Sequence, residues 1–278
     1  MKIDFNTFAE YYSKNCSVCN GAKRVQVNEV WTKCLCQHRA TLEFRYSQIP
    51  VYPEELKYKE WSDFTGEIKG FNEGRSETVG RLKNCGVWAK TGAMKYCFKA
   101  IDPESLKDRK NNLIVLNHLR DGQNLIIIGG RNTGKTLLAA LVNREIALAS
   151  FYARRNIDFR WIKGGAVLEA SRWDNSKEVD HNTLEDLSEV DFLTIDGVDV
   201  PLGGHNTPPD MIALNLLFSR RLENKKPTIV IASDDFYKRA THETAYREIT
   251  RLWGEEFLNL LTLSTNVFVE LNKEISNA

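Results

Sequence analysis

The sequence predicts an α/β fold, a parallel sheet covered by helices. Two observations carry this. From about residue 111 onward, short apolar runs alternate with helical patterns. One of those runs is joined to a helix by the glycine-rich stretch Gly129-Gly130-Arg131-Asn132-Thr133-Gly134-Lys135-Thr136. A third observation sets the front of the chain apart, because four of its six cysteines fall within the first 45 residues.

With 278 residues, of which 42% are hydrophobic and 27% charged, the chain has enough apolar material for a substantial core and is not expected to be disordered. Lysine plus arginine (38) nearly balance aspartate plus glutamate (37), so no global basic field exists and any nucleic-acid contact must come from a local patch. The opening residues Met1-Lys2-Ile3-Asp4-Phe5-Asn6 lead into no apolar segment of the kind a secretory signal needs. The longest apolar runs, 125–128 and 228–232, have the length of buried strands and cannot span a bilayer. The expectation is a soluble, cytoplasmic protein with no membrane partner, whose cysteines hold metal or remain free thiols.

Three regions differ in texture: 1–45 with the clustered cysteines, a connector over 46–110 with Pro50, Pro53, Pro103 and scattered glycines, and 111–278. In the last region strands are expected at 124–128, 157–162, 192–195, 228–232 and 267–271. Helices are expected at 135–150, 165–173, 183–189, 210–224 and 242–259. Pro208 and Pro209 followed by Asp210 mark a helix start, since proline suits the first turn and an acid suits the dipole there.

The spacing Gly129-x4-Gly134-Lys135-Thr136 meets the P-loop pattern, between an apolar strand and a strong helix, as that motif requires. Glycines let the backbone curl so that successive N–H groups face phosphate oxygens, and the following helix adds its positive end. Lys135 is then placed for the β and γ phosphates of ATP, and the Thr136 hydroxyl for Mg²⁺. A second Mg²⁺ ligand is expected at the end of a later apolar strand, and Val190-Asp191-Phe192-Leu193-Thr194-Ile195-Asp196 supplies Asp196. The position after it is usually a glutamate that polarises water; here it is Gly197, which cannot act as a base. Asp199 is the nearest substitute. Nucleotide binding is thus better supported than hydrolysis.

Cys16-x2-Cys19 and Cys34-x-Cys36 bracket a stretch in which Val25, Val27 and Val30, with a turn at Asn28-Glu29, predict a short β-hairpin. Four thiolates at its end make a tetrahedral Zn²⁺ site, and the metal supplies folding energy that so small a module lacks. His38 is the alternative fourth ligand. Cys85 and Cys97 have no partner spacing and are expected to be plain thiols.

Cys-x2-Cys…Cys-x-Cys, then Ile49-Pro50 and Tyr52, then the P-loop region resembles the DnaC/DnaI-type bacterial helicase loaders, an AAA+ family. The similarity extends through Phe159-Arg160-Trp161-Ile162-Lys163, the stretch 184–196, Lys226 to Asp234, and Arg247-x3-Arg251-Leu252. It implies a P-loop AAA+ parallel sheet with flanking helices, preceded by a small zinc-binding β-hairpin domain. It also implies an ATPase that binds a hexameric replicative DNA helicase through the zinc module. Such a protein self-associates through its ATP sites and delivers the helicase to single-stranded DNA. By position, Lys135, Thr136 and Asp196 match, and Arg251 falls in the arginine-finger segment. The sensor position falls on Asp234, which would repel a γ-phosphate where an asparagine is usual; Ser233 is the substitute. With Gly197, this implies slow or absent turnover. For DNA, Tyr152, Arg154, Arg155, Arg160, Trp161 and Lys163 mix basic and aromatic character as single-strand binders do. Two other readings share the ATPase pattern: an IstB-type transposition helper, and a helicase adaptor or inhibitor that holds ATP without using it.

Overall fold

The computed structural model describes residues 5–47, 53–56, 59, 63–64, 67–71, 124–152, 157–172, 181–199, 206–241 and 243–272. Cys85, Cys97, Ile49, Pro50, Tyr52, Arg154, Arg155 and the side chains of His38 and Tyr152 lie outside the described residues.

The front of the chain is a hairpin held between two helices: α1 (Phe5–Lys14), β1 (Arg24–Val27), β2 (Val30–Lys33) and α2 (Leu35–Tyr46). The strands pair antiparallel with Val27 opposite Val30, leaving Asn28 and Glu29 as a two-residue turn. Both have positive φ, +48° and +66°, the mirror-image turn whose twist matches a hairpin. The hairpin is as expected, but the helices were not. The sequence of α2, Leu-Cys-Gln-His-Arg-Ala-Thr-Leu-Glu-Phe-Arg-Tyr, lacks a clean apolar stripe. It is fixed instead by packing on α1, where Phe44 meets Phe5 and Phe8 edge to face.

Among the described residues the larger sheet has six strands: β3 (Glu67–Phe71), β4 (Leu125–Gly129), β5 (Phe159–Lys163), β6 (Phe192–Asp196), β7 (Thr228–Ala232) and β8 (Val267–Asn272), in the order β3-β8-β4-β7-β6-β5. Five are parallel, and β3 joins β8 antiparallel at one edge. That edge strand falls in the connector and was not anticipated. β4, β6 and β7 are buried at every residue, because helices cover both faces and leave no polar side to alternate. β5 lies at the opposite edge and alternates in burial. It begins two residues later than the sequence pattern indicated and ends on Lys163.

The helices are α3 (Lys135–Tyr152), α4 (Gly164–Ser171), α5 (His181–Glu189), α6 (Pro208–Glu223), α7 (Asp234–Thr241), α8 (Glu243–Trp253) and α9 (Glu255–Thr262). α6 starts as the prolines indicate: Pro208 and Pro209 fill its first turn, and the Asp210 carboxylate accepts from the Thr207 N–H and hydroxyl at 2.7 Å. The single helix expected over 242–259 is two helices. Gly254 separates them at φ +88°, and a Cβ there would lie 2.4 Å from Asn215 Oδ1. α7 was also missed. Ser233 caps it by accepting from the Phe236 N–H at 3.1 Å, and Asp234 and Asp235 follow in the favourable first turn.

The core between the sheet and α4 to α9 contains Leu168, Leu193, Leu214, Phe218, Trp253 and Phe257, with Trp253 stacked on Phe257 at 4.5 Å. Arg221 is fully buried beside it.

Candidate nucleotide and metal sites

The parallel strands start at β4, run out to β5 and return through β6 and β7, while β8 adds on the other side of β4. This reversal opens a crevice at the carboxyl ends of the strands, where ligands bind in sheets of this type. Gly129 ends β4, Asp196 ends β6 and Ser233 follows β7, so the three sequence motifs converge there.

Residues 130–134 curl between β4 and α3, with Asn132 at φ +63° and Gly134 at φ +88°. Arg131 and Asn132 are exposed and Thr133 is buried, its hydroxyl donating to the Gly130 carbonyl at 3.1 Å. Lys135 folds back over the loop, its ammonium donating to the carbonyls of Gly129 at 2.8 Å and Gly130 at 2.5 Å. Burial pushes the Lys135 pKa below its ordinary 10.5, while the carboxylates of Asp199, Asp234 and Asp196 oppose that shift. The cation is thus held over an open loop of backbone groups, partly desolvated, as a phosphate ligand requires.

Thr136 lies in the first turn of α3 and its hydroxyl donates to Asp196 Oδ1 at 3.3 Å. A hydroxyl oxygen and a buried carboxylate side by side form a hard, all-oxygen donor set that suits Mg²⁺. Asn143 locks the helix that carries Thr136 against the strand that carries Asp196, donating to the Thr194 hydroxyl at 2.9 Å. The other Asp196 oxygen accepts from the Lys163 ammonium.

Gly197 is exposed at φ +71°, and Gly164 packs so closely on its carbonyl that a Cβ on Gly164 would lie 2.5 Å away. Asp199 Oδ1 accepts from the Ser233 N–H at 2.8 Å and the Ser233 hydroxyl at 3.1 Å. Ser233 therefore ties the end of β7 to the loop after β6 while also capping α7. Asp234 Oδ1 is buried and has no hydrogen-bond partner among the described residues. Arg247 and Arg251 are exposed one turn apart on α8, and among the described residues neither guanidinium is hydrogen-bonded to the loop.

No family profile and no curated protein matches the chain. Among solved structures it is similar to the crystal structure of DnaI, at 15% identity over 80% of this chain and 95% of that one, with a TM-score of 0.47. It is similar to the crystal structure of the DnaC helicase loader at 15% identity over 65% of this chain and 98% of that one, TM-score 0.39. A third is AMPPCP-bound DnaA from Aquifex aeolicus, at 20% identity over 64% of this chain and half (50%) of that one, TM-score 0.37.

The second site lies in the front module. The sulfurs of Cys16, Cys19, Cys34 and Cys36 all lie within 4.8 Å of one another, with Cys16 to Cys34 and Cys19 to Cys36 at 3.6 Å. Tetrahedral Zn–S bonds of about 2.3 Å place sulfurs roughly 3.8 Å apart, so the cluster fits that ion. Asn20, Gly21 and Lys23 take positive φ and turn the chain back under the sulfurs. Backbone N–H groups of Cys19 and Val18 lower the Cys16 thiol to about 7, whereas burial pushes Cys36 up to about 12. A divalent cation supplies the charge that makes four clustered thiolates tenable.

The proposed DNA patch is corrected in part. Trp161 is 3% exposed and belongs to the core face of β5, so it cannot stack on a base. Lys163 is engaged with Asp196.

Sequence reasoning missed two features of the nucleotide site. Phe64 is buried with its ring 3.2 Å from where a Cβ of Gly134 would be, so a connector residue lies against the loop. The link between Ser233 and Asp199 was missed although Ser-Asp-Asp is a helix-start signal legible in the sequence.

Proposed function

We propose that the chain is an ATP-binding helicase loader of the DnaC/DnaI type, with three parts at 1–45, 46–110 and 111–278. The reading is carried by Lys135 folded over the loop beside the Thr136–Asp196 pair, in a chain that begins with a four-cysteine cluster. In this reading residues 129–136 hold the phosphates, Thr136 and Asp196 hold Mg²⁺, and Cys16, Cys19, Cys34 and Cys36 hold Zn²⁺. Mg²⁺ would supply charge neutralisation of the phosphates. Lys135 orients the terminal phosphates and Asn143 keeps the two halves of the metal pair together. Arg251, exposed on α8, reaches the nucleotide of a neighbouring subunit, so that ATP closes a self-association contact. The module at the front docks on a hexameric replicative helicase, and the assembly delivers it to single-stranded DNA.

Hydrolysis is slow in this account. Loss of a positioned base costs roughly 10²–10⁴-fold in rate. Asp199 is the remaining carboxylate, and one of its oxygens is already committed to Ser233. Restoring glutamate at 197 does not by itself rebuild the base, since φ +71° strains any side chain there by about 1–2 kcal/mol.

Retention of the host cell's replicative helicase on the immobilised full chain, lost when residues 1–45 are removed, is the test. Retention of transposase instead favours the IstB-type helper. Helicase retention with no ATP turnover and no transfer to single-stranded DNA favours the adaptor reading, which Gly197 and the orphaned Asp234 oxygen specifically support.

A further inference from the structure

Asp196 uses both of its oxygens within the chain. Oδ1 accepts from the Thr136 hydroxyl and Oδ2 from the Lys163 ammonium. Lys163 is held there by the fold rather than by chance rotamer choice. It is the last residue of the edge strand β5 and the cross-strand partner of Asp196 in the parallel register. The next residue, Gly164, packs against the Gly197 carbonyl just beyond Asp196, an approach that any Cβ would block. The ends of β5 and β6 are thereby pinned together. The Lys163 side chain is 62% exposed and the Asp196 side chain 5% exposed. A largely solvated cation therefore forms an ion pair with a buried carboxylate, whose charge the nearby Lys135 ammonium also feels.

We propose that Lys163 is a built-in competitor of Mg²⁺ at Asp196, which makes nucleotide binding by this chain weakly dependent on Mg²⁺. The inference rests on the nucleotide-site reading above. Without metal, the ammonium keeps Asp196 neutralised and so spares incoming phosphates its repulsion. With metal, the ammonium must give up the carboxylate. Two cations that share one ligand oppose each other, and linkage requires that removing one strengthens the coupling between the other and ATP. A largely exposed ion pair is worth up to about fivefold in an equilibrium constant, and the burial of Asp196 places this pair toward that upper end.

The measurement is ATP affinity by titration calorimetry on the full chain, with saturating Mg²⁺ and in chelator-free buffer without Mg²⁺, for wild type, Lys163→Met and Lys163→Arg. The ratio of the metal-free to the Mg²⁺-saturated dissociation constant should rise about three- to fivefold in Lys163→Met, mostly through weaker metal-free binding. In Lys163→Arg, which keeps the charge, it should stay near wild type. Thermal unfolding of each variant checks that the fold survives. An unchanged ratio in Lys163→Met, with ATP still bound, overturns this inference and leaves the site reading intact. No ATP binding by wild type in either condition overturns both.

Discussion

Arg221 offers a sharp test of how the sheet end beneath the nucleotide crevice is held. Its guanidinium is fully buried on α6, and its partners among the described residues include four neutral acceptors. Nε donates to the Thr228 hydroxyl at 2.9 Å and Nη2 to the Pro227 carbonyl at 2.7 Å. Nη1 donates to the carbonyls of Leu187 at 2.8 Å and Val190 at 3.0 Å, capping the end of α5. Arg221→Met keeps the apolar stem and removes every one of these donors. Hydrogen bonds to a charged group contribute about 1.5–3 kcal/mol each, and the acceptors left behind are buried. Relief of the guanidinium's own desolvation, several kcal/mol, offsets much of that sum. The net loss expected is about 3–5 kcal/mol. For a chain of this size each kcal/mol shifts Tm by about 2–4 °C, so the transition should fall by roughly 6–20 °C. Urea and thermal unfolding followed by circular dichroism read this directly, with Lys at the same position expected to fall between. A loss below about 1 kcal/mol would refute the claim that this guanidinium ties α5 and α6 to the start of β7.

Three further outcomes follow from the two sites. Elemental analysis should find one Zn²⁺ per chain, reduced in Cys36→Ser; full occupancy in that variant would promote His38 to ligand, and no metal in wild type would overturn the cluster's role. ATP affinity should be flat near neutrality and fall as pH rises through the lowered Lys135 pKa, beginning below 10.5, because only the ammonium binds phosphate. A profile that stays flat beyond 10.5 would contradict the desolvated geometry of Lys135. Arg251→Ala should weaken ATP-dependent self-association about tenfold or more in sedimentation, while leaving ATP affinity of the monomer unchanged. A fall in monomer affinity would place that guanidinium in its own subunit's site instead.

Much of the fold was legible because its signals are local. Parallel strands buried on both faces read as continuous apolar runs, and 228–232 matches β7 residue for residue. Asn28-Glu29 and Pro208-Pro209-Asp210 announce their turn and helix start by backbone chemistry alone. Other features depend on contacts that no window contains. The helical pattern over 242–259 hides the break at Gly254, because the apolar stripe continues across it while Asn215 of α6 occupies the space. β3 is a strand only because β8 offers it an edge. In the site, Lys135, Thr136 and Asp196 were legible from spacing, whereas Lys163 required the register of β5 against β6 to come beside Asp196. Trp161 read as a base-stacking residue because alternation along an edge strand does not say which face is covered.

Binding of Mg·ATP through Lys135 is the claim on which the rest depends. Titration calorimetry should give saturable binding of Mg·ATP to the full chain with one site, and Lys135→Ala should abolish it while the thermal transition persists. Equal affinity in the wild type and Lys135→Ala would contradict the account.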